Sequence, residues 1–141
     1  TAMGITIDIG DANDIHPKNK KDVGYRLASQ AQRLVYNQQK GPNPPAYKAM
    51  KVIDGKIKIT FSNPNSIAVK DGTLLKNFAI AAKDKKFVWA EAKYHNNEVI
   101  VWNEAIDVPV AVRYAWADNP GSINFYDIEG MPVSPFRTDG W

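Results

Sequence analysis

The run Gly41-Pro42-Asn43-Pro44-Pro45 constrains this chain more than any other feature, because it separates two stretches of different periodicity. Proline lacks a backbone N–H and clashes with the preceding turn, so this run cannot be helix interior and makes a poor central strand. The reading is therefore a first unit at residues 1–40, a linker at 41–46 and a second unit at 47–141. A chain of 141 residues with 44% hydrophobic content can bury a core in one domain or in two small ones.

Before the break, Ile5, Ile7 and Ile9 alternate with Thr6 and Asp8, which predicts a strand with one apolar face. From Asn19 the period changes. Val23, Leu27, Ala31, Leu34 and Val35 fall on one side of a helix running to about Asn37, with Lys20, Lys21, Arg26, Gln30 and Arg33 mostly elsewhere. Asn19 can cap that helix, and Pro17 keeps the preceding loop from being helical. The order is strand, loop, helix. The chain enters a strand almost at once, so it reads as the middle of a longer protein. An unpaired edge on the strand at 5–9 would promote association between copies, a homo-oligomer.

After the break, Lys51-Val52-Ile53, Asp54-Gly55 and Lys56 to Phe61 form a hairpin signal, since Asp-Gly supplies the positive φ of a tight primed turn. Short β-like runs follow at Ser66 to Val69, Phe78 to Ala82, Phe87 to Lys93, Glu98 to Trp102 and Val110 to Trp116. Turn residues separate them, notably Asp71-Gly72, His95-Asn96-Asn97 and Asp118-Asn119-Pro120-Gly121. This spacing predicts an antiparallel β-sandwich-like domain. The fold class is α/β plus β, with no internal repeat.

The net charge of +3 comes from scattered lysines, and Lys18, Lys20 and Lys21 are the one tight cluster. A nucleic-acid surface needs a longer basic stripe with interleaved aromatics, so no such partner is expected. The chain has no cysteine, which excludes a disulfide scaffold and a thiolate metal site. No apolar run approaches the roughly 18 residues of a membrane span, and an export signal would lie outside these residues.

Two histidines are present. His95 sits in a polar Tyr-His-Asn-Asn turn and reads as solvated. His16 follows Asp11 and Asp14 on the loop that leaves the expected strand, where a hydrolase can place a general base beside the acid that orients it. On residue types alone a purely structural histidine is equally compatible. Hydrolytic zinc sites take three protein ligands, so no metal centre is expected here, and no cofactor is called for. None of the serines, Ser29, Ser62, Ser66, Ser122 and Ser134, stands in Gly-x-Ser-x-Gly or Gly-Asp-Ser, and Gly10-Asp11-Ala12 has alanine where a hydroxyl would be needed.

The segments Ile5 to Gly10, Asn13-Asp14-Ile15-His16-Pro17 and Val23-Gly24-Tyr25-Arg26 resemble the last catalytic block and final helix of the sialate O-acetylesterases, a branch of the SGNH hydrolases. Val112 to Pro120 and the ending Pro135-Phe136-Arg137-Thr138-Asp139 resemble the same family's C-terminal segment. What the resemblance implies is the last strand and helix of an SGNH-type α/β esterase core, followed by the β-domain. It also implies a serine esterase that removes O-acetyl groups from sialic acids or other acetylated sugars, located in the periplasm or secreted. His16 carries over as general base. The remainder of the enzyme, upstream, would supply the serine nucleophile and the oxyanion hole, so this chain alone is expected to be inactive.

The acid carries over less directly. The superfamily's Asp-x-x-His spacing falls on Asn13, and the nearest carboxylate is Asp14, which is assigned the role. Asparagine could orient the imidazole but not stabilise its charge. The alternative to an esterase fragment is a carbohydrate-binding or structural β-module. Trp89, Trp102, Trp116, Tyr114 and Phe136 could stack on sugar rings, though as a set they read as sandwich core. Arg137 and Asp139 read as a structural or surface pair.

Overall fold

The structure, a computed structural model, describes residues 1–16, 18–38 and 42–141. Pro17, with its expected stiffening of the loop, and residues 39–41, where the first unit meets the linker, lie outside the described residues. The elements are α1 (Lys20–Leu34), β1 (Tyr47–Ile53), β2 (Lys56–Phe61), a 3-10 turn (Pro64–Ser66), β3 (Ile67–Val69), β4 (Leu74–Ala81), β5 (Phe87–His95), β6 (Glu98–Trp102), β7 (Ala111–Tyr114), β8 (Phe125–Asp127) and β9 (Phe136–Arg137). The described chain is thus mostly antiparallel β with one α-helix.

Seven strands form one antiparallel sheet in the order β1-β2-β6-β5-β4-β7-β9, and β3 pairs with β8 in a separate ribbon. The predicted Asp-Gly hairpin joins β1 to β2, with Asp54 at φ 50 and Gly55 at φ 73. A Cβ on Gly55 would also come within 3.1 Å of the Asp107 carbonyl oxygen, so that position needs glycine twice over. The β5–β6 turn uses the same conformation at Asn96 (φ 50) and Asn97 (φ 65).

Alternate residues of the sheet fill the core: Ile57, Ile59 and Phe61 on β2, Val99 and Val101 on β6, Phe78 and Ile80 on β4, Val112 and Tyr114 on β7. Phe125 of β8 enters the same cluster, with its ring centroid 5.3 Å from those of both Phe61 and Tyr114. The ring of Tyr47, on β1, stacks on that of Phe136, on β9, at 5.0 Å. The sheet therefore curls until its two edge strands meet. This corrects the sandwich expectation. The antiparallel character holds, but a twisted sheet of this length can wrap round its own aromatic cluster, and the second layer is reduced to the β3–β8 ribbon.

The N-terminal segment needs a second correction. Residues 5–9 do not form the expected strand; Ile9 N–H donates to the Thr6 carbonyl at 3.2 Å and residues 7–9 turn. An alternating pattern becomes a strand only where a neighbour offers a ladder, and no described strand does so here. The unpaired strand edge invoked for association is therefore not present. Ile7 still packs on the core cluster.

Helix α1 forms close to the predicted span, and Asn19 caps it by accepting from Asp22 N–H at 3.1 Å. Its orientation is the surprise. Arg26, Ser29 and Gln30 are buried, while Leu27 and Leu34 are 54% and 53% exposed, so the helix turns a polar face inward and its apolar face outward.

Candidate catalytic loop

Residues 11–16 are built from two successive Asx turns, in which an aspartate side chain accepts the N–H two residues on. Asp11 Oδ1 accepts from Asn13 N–H at 3.0 Å, and Asp14 Oδ1 accepts from His16 N–H at 2.9 Å. Asp14 N–H in turn donates to the Asp11 carbonyl at 3.3 Å. The second turn folds the imidazole back, so that His16 Nδ1 lies 3.2 Å from the same Asp14 oxygen. The loop thus brings Asp14 to His16, while the backbone of Asn13 is engaged by Asp11. A carboxylate on Nδ1 favours the tautomer protonated there and leaves Nε2 free to accept a proton. The side chains of His16 and Asp14 are 80% and 38% exposed. His95, at the exposed end of β5, takes no part.

The loop stands on a part-buried ion pair. Arg26, on α1, donates from Nη1 to Asp8 Oδ1 at 2.6 Å and from Nη2 to Asp8 Oδ2 at 2.9 Å, and Nη1 also donates to the Ile5 carbonyl at 2.7 Å. Hydrogen bonding to Asp8 raises the Arg26 pKa above its already high value, against the opposing pull of burial. Burial, and after it the nearby Asp8 carboxylate, push the Tyr126 phenol of β8 above its ordinary value. Asp8 precedes the histidine loop and Arg26 follows it, so the pair holds both ends of the loop. The sequence reading missed both residues. Arg26 fell off the apolar side of the helix with the other polar residues, and a partner 18 residues away leaves no spacing signal.

A cleft of about 440 Å³ lies beside the loop, between residues 6–8 and 10–12 on one side and 117–121 on the other. Among the described residues no three His, Asp or Glu side chains gather as a metal site.

The five aromatics singled out in sequence divide. Tyr114 and Phe136 are core, at 0% and 8% exposure, Trp102 is half-buried at the end of β6, and Trp89 and Trp116 are 71% and 50% exposed. At the ending the Arg137–Asp139 pair is present as read, and a closer partner joins it. Asp139 is fully covered and bound by Arg113, at 3.0 Å from Nε and 2.6 Å from Nη2, while Arg137 lies 3.8 Å away. Thr138 Oγ1 accepts from Val112 N–H at 3.0 Å, so this segment clamps onto β7.

No protein-family model matches the chain. The sialate O-acetylesterase of Mus musculus is 23% identical to it, and those of Pongo abelii and Homo sapiens 27%, in each case over 96% of this chain and 28% of the relative. A solved structure described as a novel carbohydrate acetylesterase from Xanthomonas citri is 41% identical, with a TM-score of 0.89 over 95% of this chain and 31% of its own. The resemblance read from the motifs therefore holds along nearly the whole chain, which spans less than a third of each of these relatives.

Proposed function

With sialate O-acetylesterases and a carbohydrate acetylesterase as relatives, we propose that this chain is the C-terminal, histidine-bearing portion of a serine O-acetylesterase acting on sugar acetyl esters, sialic acids among them. His16 is the general base and Asp14 the residue that orients it. A serine supplied by the remainder of the enzyme gives its proton to His16 Nε2 as Oγ attacks the acetyl carbonyl. The imidazolium then protonates the departing sugar oxygen, leaving an acetyl-serine. Water, deprotonated by the same imidazole, releases acetate and restores the hydroxyl. Asp14 stabilises the imidazolium throughout. The oxyanion hole, like the serine, comes from outside this chain.

The observation that carries the reading is the 3.2 Å approach of Asp14 Oδ1 to His16 Nδ1, on a loop exposed enough to meet a second surface. The outward apolar face of α1 supports the presence of that surface, which we assign to the upstream part of the same enzyme, exported to the periplasm or secreted. The test is nitrophenyl acetate hydrolysis. This chain alone should show none, and in the parent enzyme His16→Ala should cost about a thousandfold or more in kcat. Activity within a few-fold of the parent in that variant rejects the assignment.

A further inference from the structure

The outer face of the curled sheet carries a groove of about 670 Å³, a size within the usual range for small-molecule sites. Its construction follows from register. Ala79 on β4 pairs with Trp89 on β5 and with Arg113 on β7, so a small side chain lies in one row between two large ones and forms the floor of a trench. Phe87 extends the β5 wall. The Arg113 guanidinium lies 3.9 Å over the Phe87 ring, and Nε and Nη2 are committed to Asp139, which leaves Nη1 as a donor with no hydrogen-bond partner among the described residues. At the end of β7 the buried Ala115 is held at φ 47, a left-handed conformation costly for alanine, by its N–H bond to the Asn77 carbonyl at 2.9 Å. There the chain leaves the sheet and Trp116, half exposed, joins the lining with Asn77.

We infer that this groove is a carbohydrate subsite, which holds a sugar ring of the glycan away from the ester under attack. A sugar ring has C–H groups on its faces and hydroxyls round its rim, so it suits an exposed indole with guanidinium and amide groups beside it. The lining strands β5, β4 and β7 are all interior to the sheet, so their backbone groups are used in ladders and an added peptide strand has no edge to join. Residues 117, 119 and 120 wall both this groove and the cleft beside Gly10 to Ala12, so one loop borders the two. A glycan bound at the tryptophans would therefore extend toward the histidine loop. The choice of sugar as occupant rests on the esterase reading; the binding itself does not require catalysis.

The experiment titrates this chain with cellohexaose, xylohexaose and sialyllactose, all free of O-acetyl groups, by calorimetry and saturation-transfer NMR. At least one should bind, and Trp89→Ala and Trp116→Ala should each weaken it about tenfold, the effect of losing one stacked ring. Trp89→Phe should keep most of the affinity. Trp141→Ala, outside the groove, should change nothing. Binding is read on this chain with glycans that carry no ester, so an esterase assignment that fails at His16 is distinguishable from a groove that fails here. Both tryptophans are exposed, and an unchanged melting temperature will show that the variants are folded. The proposal is overturned if no member of the panel binds below about 10 mM. It is equally overturned if binding ignores both tryptophan variants, or if a polyproline peptide occupies the groove and the glycans do not.

Discussion

Residues 47–141 and residues 1–38 are held by different forces. The β region buries side chains such as Ile57, Phe78, Val101 and Phe125 completely and closes its aromatic cluster on itself. The N-terminal segment is tied down by an ion pair, a helix cap and two Asx turns, and it leaves Leu27, Leu34 and Val35 facing outward. One region is held by a packed apolar interior, although Trp89 and Trp116 remain on its surface. The other uses polar geometry to position a loop while its apolar stripe remains open. Stability and chemistry are thus separable in this chain, and the separation can be tested residue by residue.

The largest effect should come from the loop and leave stability untouched. In the parent enzyme Asp14→Asn should lower kcat by about three to four orders of magnitude, with Asn13→Ala mild and both melting temperatures unchanged. The reverse ranking in a side-by-side rate measurement would move the orienting role to Asn13. The next effect belongs to the core. Phe78→Ala should destabilise this chain by about 3–5 kcal/mol in urea, because it opens a cavity among packed rings. A loss below about 1 kcal/mol would mean that the core can collapse and the comparison is too sharp.

Arg26→Met should strand the part-buried Asp8 carboxylate and cost about 2–3 kcal/mol, less than a fully buried pair. Hydrogen exchange should locate that loss in α1 and the histidine loop, with β2, β4 and β6 still protected. A uniform loss across the sheet would show that the two regions unfold as one. Smaller still is an acid-dependent effect. Arg113 holds the Asp139 carboxyl below its ordinary 3.8, so the pair stabilises the fold above that value and the benefit fades as pH falls through the depressed folded value. Asp139→Asn should therefore lower the melting temperature at neutral pH, with the difference shrinking below about pH 4. Last, Leu34→Gln should change the stability of this chain by no more than about 0.5 kcal/mol, since the side chain is already in water.

Local chemistry was the legible part. Asp54-Gly55 and Asn96-Asn97 declare their turns because few other residues accept positive φ, Glu98 to Trp102 carries enough β-branched residues to mark its strand, and Asn19 marks the helix start. Features that depend on neighbours were hidden. The alternation of Ile5, Ile7 and Ile9 says strand only if a ladder is available. Periodicity locates the apolar face of α1 but not what lies against it, so the inward face of Arg26 and Gln30 could not be foreseen. β8 and β9 are too short to show a period, and they owe their pairing to β3 and β7. At the histidine the residue types were readable and the folding-back of the ring by the Asp14 turn was not. The tryptophans and the core aromatics share a composition, and only register separates those that face inward from those that face the groove.

The stacking of Tyr47 on Phe136 has a consequence for timing. These rings bring together the first and last strands of the β region, so the contact has one of the largest sequence separations in the fold and a correspondingly high loop-closure cost. The β1–β2 and β5–β6 hairpins can form early from local contacts. The wrap cannot lock until Phe136 has arrived. During synthesis the ribosome must therefore release almost the whole β region before its aromatic interior is shut away from water, and in that interval the half-built sheet is the species most exposed to chaperones and to aggregation.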